Sequence, residues 1–217
     1  MQNDNIYTVF HQENDPLTPF AISYSIKVWN EEILTVEESK DLTAHILSLE
    51  GDFIAQNPQY KDDGGTGLGE YSLTAKFQAY NALQWDHPVC EKIKQKLREG
   101  VDKMCPDLNE KVYAKMWANV LRSRQAMKPH QHACDEYSFL SANLTLQAWD
   151  TQTVYQNPYG LDSISFDNKP GWITMFPEYL IHWTTMHMNP VPRVTLGIDL
   201  LTETALEPEH LAKLVEI

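Results

Sequence analysis

The chain has 217 residues, 42% of them hydrophobic, with six Trp, ten Tyr and seven Phe, enough to bury a core and too many for a disordered segment. Thirty acidic against 17 basic residues leave a net charge of −13, which excludes binding of nucleic acid or anionic lipid by bulk attraction. The length fits one domain, residues 1–217.

The three cysteines, Cys90, Cys105 and Cys134, are widely spaced with no C-x-x-C. Neither a disulfide framework nor a cysteine zinc module is written here, and reduced thiols in a cytoplasmic protein are the expectation. The opening MQNDNIYTVFHQEND lacks the basic and apolar regions of a signal peptide. No later run approaches the roughly 18 apolar residues of a membrane span.

Taken in chain order, residues 1–111 form a helix-rich N-terminal part. TVEESKDLTAHILSLEG opens with Thr35 and Glu38 at capping-box spacing, places Leu42, Ile46 and Leu49 on one face and stops at Gly51. DDGGTGLGE, residues 62–70, lacks the Lys-Ser/Thr ending of a phosphate loop and reads as a surface loop, with a flap over substrate as the lesser reading. A second helix starts at Pro88, carries Val89, Ile93, Leu97 and Val101, and ends at Cys105-Pro106.

From residue 112 to 201 the pattern becomes that of strands: VYAKMWANVL, FLSANLTLQAW, the short SISF, GWITMF and RVTLGIDLL. In the second, Leu140, Ala142, Leu144, Leu146 and Ala148 oppose Ser141, Asn143, Thr145 and Gln147. In the last, Val194, Leu196, Ile198 and Leu200 oppose Arg193, Thr195, Gly197 and Asp199. This allows a sandwich with one wet face, or a small barrel whose apolar faces pack on helices while its polar faces line a hydrated pocket. The second is preferred because the histidines and Arg193 fall beside the polar faces. Residues 202–217 form a C-terminal segment in which EPEHLAKLVEI reads as a short helix.

Eight histidines are present. His130 and His132 are two apart, so on an extended chain both rings leave one face and can meet one ion. Alternatively they are solvent-facing residues of a turn after Pro129. His182 follows a Phe-Pro corner and is either a third ligand or a core histidine bonded to backbone. Arg193 starts an apolar strand but points to its polar side, where it needs a carboxylate partner, and a guanidinium is a natural clamp for a substrate carboxylate. Thr195 shares that face. His11, His45, His87, His187 and His210 read as structural, Cys134 as a small buried neighbour, and Trp117, Trp172, Trp183 and Phe176 as core.

Together, the run WANVL (117–121), His130-x-His132 before an L-S-x-x-L-x-L strand, PGWITMFPEYLIH ending at His182, and Arg193-x-Thr195 resemble the non-haem iron, 2-oxoglutarate-dependent dioxygenases. The similarity spans residues 113–200 and is closest to the small bacterial and phage branch related to prolyl hydroxylases. It implies a mainly β fold with flanking helices, a double-stranded β-helix or jelly roll with a cupin-like barrel. It also implies Fe(II) on His130, His132 and His182, 2-oxoglutarate as cosubstrate and O2 as oxidant. Arg193 and Thr195 would hold the C5 carboxylate of the cosubstrate, with Asn119 and Asn143 orienting the rest. The prime substrate, a small molecule or a side chain, is not readable, and a homodimer is the default expectation.

The chain departs from the family's usual His-x-Asp or His-x-Glu by placing His132 where the acid is expected. That leaves the ligand set one negative charge short unless Asp135 swings in. The same letters admit a cupin using His130, His132, Glu136 and His182, as a metal-dependent enzyme or sugar-binding module, although a cupin has no use for Arg193. A jelly-roll interaction protein without metal is the third reading.

Overall fold

The computed structural model describes residues 5–13, 23–132, 138–203 and 213–217. Its N-terminal part runs β1 (Ile6–Gln12), β2 (Tyr24–Glu32), α1 (Val36–Gln56) and α2 (Pro88–Met104), with short 3-10 helices at Thr74–Ala79 and Ala82–Gln84. Then follow β3 (Val112–Leu121), β4 (Ser138–Gln147), β5 (Gln152–Gln156), β6 (Ser163–Asp167), β7 (Trp172–Pro177), β8 (His182–Thr184), β9 (Arg193–Thr202) and β10 (Val215–Glu216).

Seven strands form one antiparallel sheet in the order β1-β2-β7-β4-β9-β3-β10, and three form a second in the order β6-β5-β8. This is the mainly β, jelly-roll architecture expected above. The strict alternation of β3, β4 and β9 divides the large sheet into two faces. Its apolar face (Met116, Val120, Leu144, Leu146, Leu196 and Ile198 among others) packs against Leu42 and Ile46 of α1 and Ile93, Leu97 and Val101 of α2 in the main core. Its polar face turns toward the small sheet. One end of the space between the sheets is filled by a second cluster of Phe10, Ile26, Val28, Tyr155, Phe176 and Leu180, and the other end is left open as a cavity.

The helices form where capping and periodicity place them. Thr35 Oγ1 accepts from Glu38 N at 3.1 Å while Thr35 N donates to Glu38 Oε2 at 2.7 Å, a reciprocal cap whose loss costs about 1 kcal/mol. Glu38 also receives Lys92 Nζ at 2.7 Å, joining α1 to α2. The first helix does not stop at Gly51 but runs five residues further to Gln56. Gly51 costs roughly 1 kcal/mol in a helix interior, and packing of Phe53 and Ile54 against the core beyond it offsets that. Leu49 is 37% exposed, because the buried face passes through Leu47 to Phe53 and Ile54 instead.

Two strands in the N-terminal part, β1 and β2, escaped the sequence reading. They extend the large sheet through Trp29↔Met175 and Asn30↔Thr174. In the C-terminal segment Val215–Glu216 is a strand on β3, opposite Ala114 and Tyr113, rather than part of a helix. Residues 204–212, including His210, lie outside the described residues. No helix among the described residues is long and apolar enough to cross a membrane.

Two glycines permit close approaches that shape the sheet. At Gly171, with φ +84°, a Cβ would lie 2.1 Å from Leu34 O, and its carbonyl accepts from Ile33 N at 2.9 Å, tying the end of β2 to β7. Gly197 pairs with Trp117 across β9 and β3, and a Cβ there would lie 2.7 Å from the indole. Gly197→Ala is therefore expected to cost about 1–3 kcal/mol by overpacking, read as a lower thermal midpoint. An unchanged midpoint would show that the indole moves freely.

Candidate metal centre and cavity

The turn after β7 and the segment before β4 bring the three histidines together. His130 makes an antiparallel bridge to His182, with His130 N donating to His182 O at 3.1 Å and His182 N to His130 O at 2.9 Å. His132 N donates to Glu178 O at 3.1 Å. The segment thus lies beside β8 as an extra rung of the small sheet, and rings two residues apart leave it on one side. The ring centroids are 4.4 Å apart for His130–His182, 5.1 Å for His132–His182 and 5.4 Å for His130–His132. One ligating nitrogen from each lies within 4.8 Å of the others, a group able to hold a metal ion.

Each ring is oriented through Nδ1. That of His130 meets Lys128 O at 2.7 Å, that of His182 meets Leu180 O at 2.9 Å, and that of His132 meets Asp199 Oδ1 at 2.5 Å. Nε2 is then the nitrogen through which each ring would ligate. Burial, with His132 adjacent, pushes His130 down to about 4. Burial together with the other two rings pushes His182 well below its usual value. Burial also opposes protonation of His132, but the charge and hydrogen bond of Asp199 outweigh it and raise its pKa. Neutral imidazole is the form that binds a cation.

The rings open into a cavity of about 330 Å³ whose wall includes the polar face of β9: Arg193, Thr195, Gly197 and Asp199. Six residues separate Arg193 from Asp199, about 20 Å along a strand. The two therefore mark opposite ends of that wall. Arg193 is 1% exposed, and among the described residues its Nε and Nη1 have no hydrogen-bond partner. Near it the buried Tyr155 hydroxyl lies within electrostatic reach of the guanidinium and against the side chains of Asn143 and Thr174. Burial pushes the Arg193 guanidinium down to about 10, so it remains a cation at neutral pH. A buried cation with open donors costs free energy unless an anion arrives to meet it.

The structure gathers His130, His132, His182, Arg193, Thr195, Asn119 and Asn143 around this one cavity. Asn119 is held in the wall by a side-chain hydrogen bond, its Oδ1 accepting from Thr74 Oγ1 at 2.7 Å. Asp135, Glu136 and Cys134 lie outside the described residues. Trp117 is a wall of the cavity rather than core alone, with its ring 5.6 Å from that of His132 and 5.9 Å from Phe77. Phe176 is core, whereas Trp172 and Trp183 are half-buried. His187 is buried, with Nε2 against Val191 O at 2.8 Å, as a structural histidine would be.

The glycine-rich loop also reaches the cavity. Asp63 accepts from Gly65 N at 3.1 Å and Gly69 N at 2.7 Å, closing the loop on itself. Thr66 O accepts from Lys128 N at 2.8 Å, beside the segment that carries His130. Asp63, Gly64 and Thr66 line the mouth, a position that fits the flap better than a detached surface loop. Sequence reasoning missed Phe77, Asp199 and Tyr155. Only Asp199 had a visible signal, its parity with Arg193 and Thr195.

A double-sheet fold with three converging histidines and a buried, unpaired guanidinium in one cavity can hold a divalent cation and a carboxylate-bearing small molecule together. No protein-family model matches the chain, and no curated protein matches it. Solved structures do share its fold. A prolyl-4-hydroxylase from Pseudomonas putida superposes with a TM-score of 0.56 at 10% identity, over 80% of this chain and 91% of the other. A prolyl hydroxylase from Trichoplax adhaerens, solved with a peptide of hypoxia inducible factor, gives 0.57 at 13% identity over 82% and 84%. The non-haem alpha-ketoglutarate-dependent carbocyclase of nogalamycin biosynthesis gives 0.56 at 10% identity over 87% of both chains. The chain thus has the fold of 2-oxoglutarate and Fe(II) oxygenases.

Proposed function

We propose that the protein is an Fe(II)- and 2-oxoglutarate-dependent oxygenase, with His130, His132 and His182 as the iron ligands. Arg193, with Thr195, binds the distal carboxylate of 2-oxoglutarate. The observation that carries this reading is the buried guanidinium with two unused donors in the same cavity as three converging histidines. An anion long enough to bridge from the metal to Arg193 satisfies both. A cupin with four ligands leaves Arg193 without a role, and the neighbours in fold are oxygenases.

When bound, iron with O2 couples decarboxylation of 2-oxoglutarate, giving succinate and CO2, to oxidation of a substrate C–H bond. The chain's own residues supply placement. His130, His132 and His182 would hold the metal from one side and leave it accessible from the cavity. Arg193 neutralises the far carboxylate, and the Tyr155 phenol, held protonated by burial, lies near the guanidinium without offsetting its charge. Trp117 and Phe77 give the mouth an apolar wall against which a substrate hydrocarbon excludes water. The neighbours include a prolyl hydroxylase and a carbocyclase, so the product depends on what that mouth presents to the metal.

Thermal unfolding with Ni(II), a redox-inert stand-in for Fe(II), tests the reading. Ni(II) and 2-oxoglutarate together are expected to raise the midpoint beyond the sum of their separate effects. At 100 times Kd the gain is about 2.7 kcal/mol, roughly 5–10 °C for a chain of this size. A 2-oxoglutarate increment of zero on the metal-loaded protein would contradict it.

A further inference from the structure

The ligand set proposed above is three neutral imidazoles, yet the site contains a carboxylate one bond removed. Asp199 Oδ1 lies 2.5 Å from His132 Nδ1 and also accepts from Ser141 Oγ at 3.1 Å. Its position is set by register: β9 places Asp199 opposite Lys115 of β3 and Ser141 of β4. The strands on both sides therefore hold it on the inner face, in the row that carries Arg193 and Thr195. His130 and His182 meet backbone carbonyls through Nδ1, which are neutral acceptors. Among the described residues, His132 is the ring of the three whose Nδ1 meets an anion.

We propose that Asp199 is the charge-compensating carboxylate of this metal site, acting through His132 in place of the carboxylate ligand that His132 displaces. The inference rests on the reading of His130, His132 and His182 as ligands. A carboxylate that accepts from Nδ1–H fixes the tautomer, aims Nε2 at the cation and makes the ring a stronger donor. It also returns one negative charge to a ligand set that carries none. Asp199 is thus a positioning residue, and its charge matters beyond its hydrogen bond. Ser141 holds the carboxylate in line.

Co(II) alone is the probe, with affinity measured by titration calorimetry on the full chain and no 2-oxoglutarate present. Asp199→Asn keeps the shape and an acceptor oxygen but removes the charge, and is expected to weaken Co(II) binding by about 10–100-fold. Ser141→Ala is expected to weaken it by a smaller factor and serves if Asp199→Asn does not fold. The decisive comparison is the same replacement in a His132→Asp background, where a carboxylate ligates directly. There Asp199→Asn is expected to leave affinity unchanged or improve it, because two adjacent carboxylates repel.

A merely structural Asp199 would cost the same in both backgrounds, and that result overturns the proposal. So does an Asp199→Asn protein that binds Co(II) within twofold of the parent. Failure of the oxygenase reading looks different: Co(II) binds with the expected Asp199 dependence, but 2-oxoglutarate adds nothing afterwards. A parent protein that binds no Co(II) removes both.

Discussion

Arg193→Met is expected to abolish useful binding of 2-oxoglutarate and at the same time to stabilise the ligand-free protein. The guanidinium is 1% exposed with Nε and Nη1 unpartnered, so in the absence of an anion it is a desolvated cation without compensation. Replacing buried charge with a well-packed apolar side chain is often neutral or stabilising by about 1–4 kcal/mol. For this chain that is a rise of roughly 2–16 °C in thermal midpoint. Two charge-assisted hydrogen bonds lost to the cosubstrate cost about 3–4 kcal/mol, a 10²–10³-fold weaker affinity. Metal affinity is expected to stay within about twofold, since Arg193 lies six residues along β9 from Asp199, which meets His132. A variant that loses stability, with its 2-oxoglutarate affinity intact, would mean that the guanidinium has a structural partner and is no anion clamp.

The second large effect is at His182. It is the only one of the three histidines carried by a regular strand of the small sheet, it is 6% exposed, and its ring meets those of both His130 and His132. Structural zinc sites with four ligands yield about 10–16 kcal/mol, or roughly 2.5–4 kcal/mol per ligand. His182→Ala is accordingly expected to weaken divalent-metal binding by about 10²–10³-fold and to remove the metal-induced rise in thermal midpoint. His45→Ala is the control, because that ring packs on Trp85 and His87 away from the cavity. Equal metal affinity in His182→Ala and the parent would show that the three rings converge for packing alone.

The central strands were legible because β3, β4 and β9 each separate apolar from polar residues at period two, and the helices because Thr35 and Pro88 mark their starts. The shortest strands lack those signals. β8 is three residues long and carries no period, and β5 is five residues beside a turn. β2 does alternate, with Tyr24, Ile26 and Val28 against Ser25 and Lys27, but its period breaks at Trp29 and the helix pattern begins directly after it. The three histidines and Arg193 were readable as candidates since residue type and parity are local properties. Asp199 was visible only as one polar residue in a row. Its role depends on a partner 67 residues away, which register between strands supplies and sequence spacing does not. Trp117 shares parity with Asn119, so its inward direction could have been read. Phe77 sits on a 3-10 helix, where no apolar period announces which way a side chain points.

The position of His132 where an acid is usual looked, from sequence, like a missing charge. Register places the carboxylate of Asp199 behind that ring, so the cavity carries an anion at one end of β9 and a cation, Arg193, at the other. That polarity suits a cation at the Asp199 end and an anionic group at the Arg193 end. Bulk charge gives no hint of it, since a net −13 conceals a single buried cation.

The most direct measurement is an anaerobic titration of the apo protein with Fe(II) and then 2-oxoglutarate, followed in the visible range. Chelation of iron by the 2-oxo acid is expected to produce a broad charge-transfer band that neither component gives alone, saturating at one equivalent of each and absent in Arg193→Met at the same concentrations. Fe(II) binding without any band on addition of 2-oxoglutarate would contradict the account.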